Sequence, residues 1–260
     1  MRADSLTAPA GVRSWARAIT SGYIAAVSML FTFMLAYGLA FALAGVRLAD
    51  RRNVDVFRDW FYGLAHNPLI DLAGANLYVV AGLHFAVALL WALVYAIGAE
   101  PHLSGPGWLR GATFSLVPWL VSILVVLPLG GGGILGAELK AGPLPLLGNL
   151  VLHLAYGATL GALYGPLSDI PADSFPRTGA VDDAETRWRT ELRTAIGIIL
   201  GVLLGLVASV AIDLSRNTPP GGLVLGVPQA AFVLGAVLLG GAVGGFLGSF
   251  AGLSPGSAEG

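Results

Sequence analysis

Six long apolar stretches limit the fold of this chain more than any other feature. A bilayer hydrocarbon core about 30 Å thick is crossed by about 20 apolar residues in a helix. Each stretch reaches that length with few charged residues. Because the apolar runs are continuous and do not alternate with polar residues, they predict membrane-spanning helices and not barrel strands. The stretches lie near 18–46, 74–98, 108–129, 145–167, 192–214 and 227–251.

The composition agrees with this prediction. Hydrophobic residues make up 56% of the 260 residues and charged residues 11%, whereas about a quarter of a soluble domain is charged. The net charge of -1 predicts no nucleic-acid partner, and the expected partner is the lipid bilayer. The absence of cysteine excludes disulfides, thiolate metal ligands and thiol catalysis. We therefore expect an all-α polytopic bundle, with 1–260 forming a single integral membrane domain in a bacterial plasma membrane.

The first stretch also bears on targeting and orientation. Arg2, Arg13 and Arg17 precede it as they would precede a signal peptide, but the run is about twice the length of a signal h-region. We interpret it as a retained span, and cleavage after Ala42-Leu43-Ala44 is the alternative. If the spans alternate, eight basic residues lie on the N-terminal side of the membrane and six on the other. This bias predicts that both termini are cytoplasmic.

Two linkers are long enough to carry structure of their own. Within 47–73, apolar residues recur at helical spacing, which predicts an amphipathic helix in the membrane interface, ended by Asn67 and Pro68. An ordinary surface loop is the alternative. The linker 168–191 is predicted to be cytoplasmic, with a helical lead-in to the fifth span and with Trp188 anchored at the headgroups. The apolar positions of the first linker are Val54, Phe57, Phe61 and Leu64, and the charged ones are Arg51, Arg52, Asp55, Arg58 and Asp59.

The second and fourth spans share a pattern of residues. His84 and His153 are each followed eleven residues later by a tyrosine, Tyr95 and Tyr164, so histidine and tyrosine lie on one helix face. Small residues at four-residue spacing bring membrane helices into close contact. We therefore predict that the second and fourth spans pack together along this helix-packing face. Its small residues are Ala88 and Ala92 in one span and Gly157 and Gly161 in the other.

The similarity extends into the spans that follow. Leu-Arg pairs at 109–110 and 192–193 begin the third and fifth spans, and Pro118 aligns with Gly201. This predicts a tandem repeat of a two-helix unit, formed by spans two and three and again by spans four and five. Units of equal orientation are related by an axis along the membrane normal.

Three motifs between Gly82 and Gly165 are informative in combination. They are a His-bearing span that ends in Tyr95-Ala96, a Gly-rich loop after Leu127-Pro128-Leu129, and a His-x-x-Tyr-Gly-x-x-x-Gly-x-x-Tyr-Gly span that begins at His153. Together they resemble a family of uncharacterised multi-pass bacterial membrane proteins. The resemblance covers about a third of the chain and implies an architecture without an established activity. The chain departs from the family pattern in its long 47–73 segment and in its two additional spans after His153.

His84 and His153 are the candidate functional or ligand residues, because ionisable groups at mid-membrane depth are costly and often functional. As structural groups, each would bond to a carbonyl or hydroxyl of a neighbouring helix. As a ligand pair, they could bind a haem or a chlorophyll-type pigment, and as titrating groups they could relay protons. A porphyrin needs a gap wider than the ordinary interaxial distance of about 8–10 Å, so the small residues beside the histidines favour the structural interpretation.

Other residues have structural interpretations as well. Tyr95 and Tyr164, at the cytoplasmic ends of their spans, are expected to be interfacial anchors. Asp213 and Arg216 are expected to pair with each other, three residues apart at the end of the fifth span. Glycines of the last span predict tight packing within the chain or against a second copy. These glycines form two pairs at four-residue spacing, Gly240 with Gly244 and Gly241 with Gly245.

The sequence predicts a protein that is not an enzyme. The spans contain no paired carboxylates, no His-Glu-x-x-His motif and no cluster of metal ligands, so no catalytic or metal site is predicted. The leading hypothesis is a structural or accessory membrane component that acts through helix packing, without a cofactor and with other membrane subunits or a second copy as its partners. Two alternatives stay open: a proton-coupled or small-solute transporter that uses His84 and His153, and a b-type haem or pigment-binding membrane protein.

Overall fold

The computed structural model describes residues 10–45, 54–165, 180–219 and 221–253. Within these ranges, six helical segments are long and apolar enough to cross a membrane, which confirms the predicted all-α, multi-pass architecture. The segments, numbered here as spans 1 to 6, are Trp15–Ala44, Leu77–His102, Gly107–Leu129, Leu144–Tyr164, Trp188–Arg216 and Gln229–Leu253.

Spans 2 and 3 are composite helices, whereas the other spans are continuous. The α-helices are α1 (Ala10–Gly45), α2 (Val54–Ala65), α3 (Pro68–Ala75), α4 (Leu77–Val94), α5 (Gly107–Phe114), α6 (Leu116–Val121), α7 (Leu127–Leu129), α8 (Leu144–Tyr164), α9 (Ala180–Arg216) and α10 (Gln229–Leu253). Turns of π-helix occupy Tyr95–Ala99 and Ser122–Val126, and 3₁₀ turns occupy Glu100–His102 and Ile134–Leu139. A small antiparallel hairpin of β1 (Leu223–Val224) and β2 (Val227–Pro228) precedes span 6.

A proline explains the interruption of span 3. Helix α5 ends at Phe114, and α6 begins at Leu116 after a turn at Ser115. Pro118 lies four residues after Phe114 and has no N–H to donate to the Phe114 carbonyl, which its ring also crowds. The helix therefore bends at this point, and the Ser115 side chain, which is fully buried, donates to the Ala112 carbonyl oxygen at 2.7 Å.

The segment between spans 1 and 2 contains the predicted helix, α2, and a second helix that was not predicted. Asn67 does more than end α2, because its side-chain oxygen accepts hydrogen bonds from the backbone N–H of Leu69 and Ile70 and so caps α3. On α2 itself, Gly63 and Ala65 are buried, whereas Phe57 is exposed. A Cβ at Gly63 would lie 2.7 Å from the Leu139 carbonyl oxygen. The helix thus packs on the 134–143 loop through its small residues, while Phe61 and Leu64 are half-buried.

Several of the predicted positions on these linkers lie outside the described residues. Arg51 and Arg52 are not described, nor are the side chains of Val54 and Asp55, so their predicted orientations are untested. Residues 166–179 are also outside the described ranges, but α9 begins at Ala180, which confirms the helical lead-in to span 5. Trp188 in this lead-in is half-buried and packs against the buried core.

Span 1 lies at the centre of the bundle. It packs against spans 2, 4 and 5, and its polar side chains bond to spans 4, 5 and 6. The Tyr23 hydroxyl donates to the Leu238 carbonyl oxygen of span 6 at 2.6 Å, and Thr159 of span 4 donates to the Ser28 hydroxyl at 3.1 Å. Near one membrane boundary, Arg17 pairs with Glu191 of span 5 at 3.2 Å. Removal of this segment as a signal peptide would take all of these contacts away, which favours its interpretation as a retained span.

Candidate functional site

His84 lies in the interface between spans 2 and 1. Its Nε2–H donates to the Ala26 carbonyl oxygen of span 1 at 3.1 Å, and its ring meets Phe85 edge-on with 5.2 Å between ring centroids. This is the arrangement that the structural interpretation expects, a side chain bonded to a neighbouring helix. Because the carbonyl occupies Nε2, this nitrogen is not directed at a ligand.

His153 differs from this expectation, because its partner lies in its own helix. Its Nδ1–H donates to the Asn149 carbonyl oxygen, one turn earlier in span 4, at 2.8 Å. In a helix, the carbonyl of residue i-4 is already close to a side chain at residue i. The His153 side chain is 8% exposed. The link to the neighbouring helix is made instead by Asn149, whose Nδ2 donates to the Ser122 hydroxyl of span 3 at 3.0 Å.

The four small residues of the predicted helix-packing face belong to two different interfaces. Gly157 and Gly161 pack against Gly107, Gly111 and Ser115 of span 3, in what we call the span 3–4 seam. A Cβ at Gly161 would lie 2.7 Å from the backbone nitrogen of Gly111 and 2.8 Å from its Cα, so the two backbones are in direct contact.

Ala88 and Ala92 face span 1, where a Cβ added at Gly22 would collide with the Ala92 side chain. The prediction of one joint face between spans 2 and 4 is therefore corrected. The physical reason is Tyr156, which is 3% exposed and donates through its hydroxyl to the Ala88 carbonyl oxygen at 2.5 Å. This ring occupies the space between spans 2 and 4. Gly157, turned about 100° further around the helix, faces span 3 instead.

Tyr95 and Tyr164 are buried in the bundle and are not anchors at the headgroups. They are 0% and 5% exposed, and their rings form a T-shaped pair with 5.7 Å between centroids. Each tyrosine lies three residues after a buried small residue, Ala92 or Gly161, and so shares its inward face. The equal spacing from histidine to tyrosine predicted that each tyrosine lies on the same helix face as its histidine and small residues. The expectation that the two tyrosines are anchors at the membrane interface is wrong, because both side chains are buried.

A buried ion pair lies at the same end of the bundle. Arg110 Nη1 donates to Glu100 Oε1 at 2.7 Å, and the two side chains are 10% and 14% exposed. A Cβ at Gly165, next to Tyr164, would lie 3.2 Å from Arg110 Nη2, so the ion pair lies close to the tyrosine pair. Sequence reasoning did not predict this pairing. The sequence feature that could have predicted it is a pair of opposite charges on either side of a short loop: Glu100 near the end of span 2 and Arg110 near the start of span 3.

The glycines of span 6 pack inside the chain. Gly240 and Gly244 contact the backbone at Gly201 and Gly197 of span 5, in what we call the span 5–6 seam. On the neighbouring face, a Cβ at Gly241 would meet the Tyr23 ring at 2.5 Å, and one at Gly245 would meet the Ile198 side chain at 2.9 Å. Of the two expectations for these glycines, the structure thus shows packing within the chain. The tandem repeat, which pairs span 2 with span 3 and span 4 with span 5, stays a prediction. The closest backbone contacts instead join span 3 with span 4 and span 5 with span 6.

Asp213 forms a polar cluster at the other end of the bundle. The Tyr78 hydroxyl of span 2 donates to Asp213 Oδ2, as does Gln229 Nε2 of span 6 at 2.6 Å. Gln229 Oε1 in turn accepts from the Gly221 backbone N–H at 3.0 Å. The expected pairing with Arg216 is corrected, because the Asp213 side chain is buried at the junction of three spans whereas Arg216 is exposed.

The described residues contain no group of three or more His, Asp or Glu side chains that could hold a metal ion. No protein-family model, curated protein or solved structure matches the chain. The resemblance to a family of bacterial membrane proteins therefore stays a prediction, and the site geometry carries the functional argument alone.

Proposed function

We propose that this protein is a structural or accessory component of a bacterial plasma membrane, that it acts through helix packing, and that it is not an enzyme. The observation that carries the proposal is the pair of glycine seams, in which backbone meets backbone along spans 3–4 and along spans 5–6. Helices in lipid gain no hydrophobic free energy by associating, so close van der Waals packing is the main source of their affinity. Two extended interfaces of this kind in one chain support the formation of a rigid bundle.

The environments of the histidines support the same proposal. His84 Nε2 bonds to a carbonyl of span 1, whereas His153 Nδ1 bonds to a carbonyl of its own span 4, so the two rings do not share one interface. A haem or pigment held between them would need a ring-sized gap between their helices. The Tyr156 side chain already fills space between spans 2 and 4 and bonds to Ala88. This packing favours a structural role for both histidines over an axial-ligand pair.

Partners of such a component would meet it on its outward faces. The glycine stripe of span 6 is covered by spans 5 and 1, so a second copy or another subunit would contact the opposite side of that helix. The large side chains exposed there are Leu239, Val243, Phe246, Leu247 and Phe250. In the absence of a partner, this face contacts the acyl chains.

Purified full-length protein with His84→Ala and His153→Ala variants tests the proposal against both alternatives. We expect neither a Soret nor a near-infrared band in the wild-type spectrum, and no proton flux through the protein in liposomes. His84→Ala should lower stability by about 0.5–1.5 kcal/mol, since it loses a hydrogen bond between helices. His102→Ala is the matched control, because His102 is exposed at the end of span 2. A haem band, or a proton flux that either histidine variant abolishes, would contradict the proposal.

A further inference from the structure

One oxygen of the Asp213 carboxylate has no hydrogen-bond donor in the part of the chain that the structure describes. The Tyr78 hydroxyl and Gln229 Nε2 both donate to Oδ2, and the Thr218 side chain also interacts with the carboxylate. Oδ1 is buried and, among the described residues, no group donates to it. The Asp213 side chain is only 8% exposed. A carboxylate oxygen removed from water without a compensating partner is energetically costly, so this oxygen points to a ligand.

Among the described residues, no cationic side chain pairs with this carboxylate. The ion pairs formed between described residues join Arg17 with Glu191, Arg58 with Asp59 and Arg110 with Glu100, and none of them reaches Asp213. Arg216, one turn further along the same helix, is exposed. The side chains that interact with the Asp213 carboxylate are those of Tyr78, Gln229 and Thr218, and all three are neutral donors. The described residues of the cluster therefore carry a single negative charge, and one monovalent cation would balance it.

The backbone around Asp213 adds a second, independent attraction for a cation. Asp213 lies in the last turn of α9, which ends at Arg216. The last four carbonyl groups of a helix lack partners within the helix, and the helix macrodipole places partial negative charge there. The carbonyl of Asp213 itself receives only a long hydrogen bond from the Thr218 N–H, at 3.4 Å. Unwound or terminal helix carbonyls beside a carboxylate are ligands suited to an alkali cation.

We propose that Asp213 binds a monovalent alkali cation at the junction of spans 2, 5 and 6. Asp213 Oδ1 supplies the charged ligand, and the Tyr78 hydroxyl oxygen and the carbonyls at the end of α9 supply neutral oxygens, the ligand type that hard cations prefer. Through Gln229, which also receives the Gly221 N–H, the bound ion fixes the loop between spans 5 and 6. This inference does not depend on the proposed structural function.

Thermal unfolding of the full-length protein in neutral detergent tests the site directly. The unfolding temperature is followed during titration with lithium, sodium or potassium chloride, with choline chloride keeping the ionic strength constant. We expect a saturable rise with at least one alkali cation, since a ligand that binds only the folded state stabilises it. An unfolding temperature that is the same in alkali and choline salts would overturn the proposal, and this wild-type comparison requires no variant.

Two variants locate the bound ion. Asp213→Asn keeps the shape of the side chain and removes its charge, so the saturable rise should disappear. Asp59→Asn is the matched control, because Asp59 is an exposed acid, and the rise should be retained in this variant. A response that persists in Asp213→Asn with unchanged midpoint would place the ion elsewhere and refute the assignment.

Discussion

Gly161→Ala tests the span 3–4 seam by adding a single methyl group to its backbone contact. The added Cβ would lie 2.7 Å from the Gly111 nitrogen and 2.8 Å from the Gly111 Cα, and it would also meet the Gly107 carbonyl oxygen. All three atoms belong to the backbone of span 3, so no side-chain rotation can relieve the overlap. The helices must separate, and overpacking of this kind typically costs about 1–3 kcal/mol.

Gly148→Ala provides a control on the same helix. Gly148 also lies within span 4, but a Cβ there would have nothing within 4 Å. Replacement of glycine by alanine in a helix interior gains about 1 kcal/mol from helix propensity alone. Both variants share that gain, so the difference in their free energies of unfolding isolates the steric cost. We expect Gly148→Ala to be neutral or stabilising, and Gly161→Ala to be less stable than it by about 1–3 kcal/mol.

Reversible unfolding of the purified protein in mixed detergent micelles measures this difference. The two variants and the wild type are compared at one detergent composition, with helix content as the readout. Equal stability of Gly161→Ala and Gly148→Ala would refute the reasoning, because it would mean that the span 3–4 backbones are not in contact at Gly161.

Three further predictions concern single hydrogen bonds, the first linker and topology. Tyr156→Phe removes the hydroxyl that bonds span 4 to span 2, and the free energy of unfolding should fall by about 0.5–1.5 kcal/mol. An unchanged free energy of unfolding would contradict that bond. In this cysteine-free chain, Asp59→Cys should react rapidly with a water-soluble maleimide and Ala65→Cys slowly, since their exposures differ; uniform rates would indicate that α2 is not packed. Reporter fusions after residues 141 and 260 should report opposite sides of the membrane, and identical readings would contradict six spans.

The spans could be predicted from sequence because membrane crossing is set by local length and hydropathy. Each predicted stretch overlaps one span of the structure, and even the lead-in to span 5 is helical. The choice of helix partners could not be predicted in the same way. It depends on which faces meet, and a single bulky residue, Tyr156, separates the two faces that share the repeated His-to-Tyr spacing.

The partners of the polar residues in the candidate site were equally difficult to predict from the sequence. The sequence marked His84 as a group that bonds to a neighbouring helix, and Ala26 of span 1 is its partner. It did not indicate that Asp213 would turn away from Arg216, three residues later, toward Tyr78 and Gln229 at the start of two other spans. Spacing along one helix identifies near neighbours, whereas partners from distant spans require the three-dimensional arrangement.

Disulfide cross-linking in native membranes tests most directly whether span 4 packs on span 3. Ser122→Cys with Asn149→Cys joins two positions of spans 3 and 4 whose side chains are in hydrogen-bond contact at 3.0 Å, so a bridge between them requires that these two spans are neighbours. The structure predicts that this pair cross-links on mild oxidation, with a shift in electrophoretic mobility that a reductant reverses. Failure of this pair to cross-link, together with efficient cross-linking of Ala88→Cys with Gly157→Cys, would contradict the packing described here and restore a direct face between spans 2 and 4.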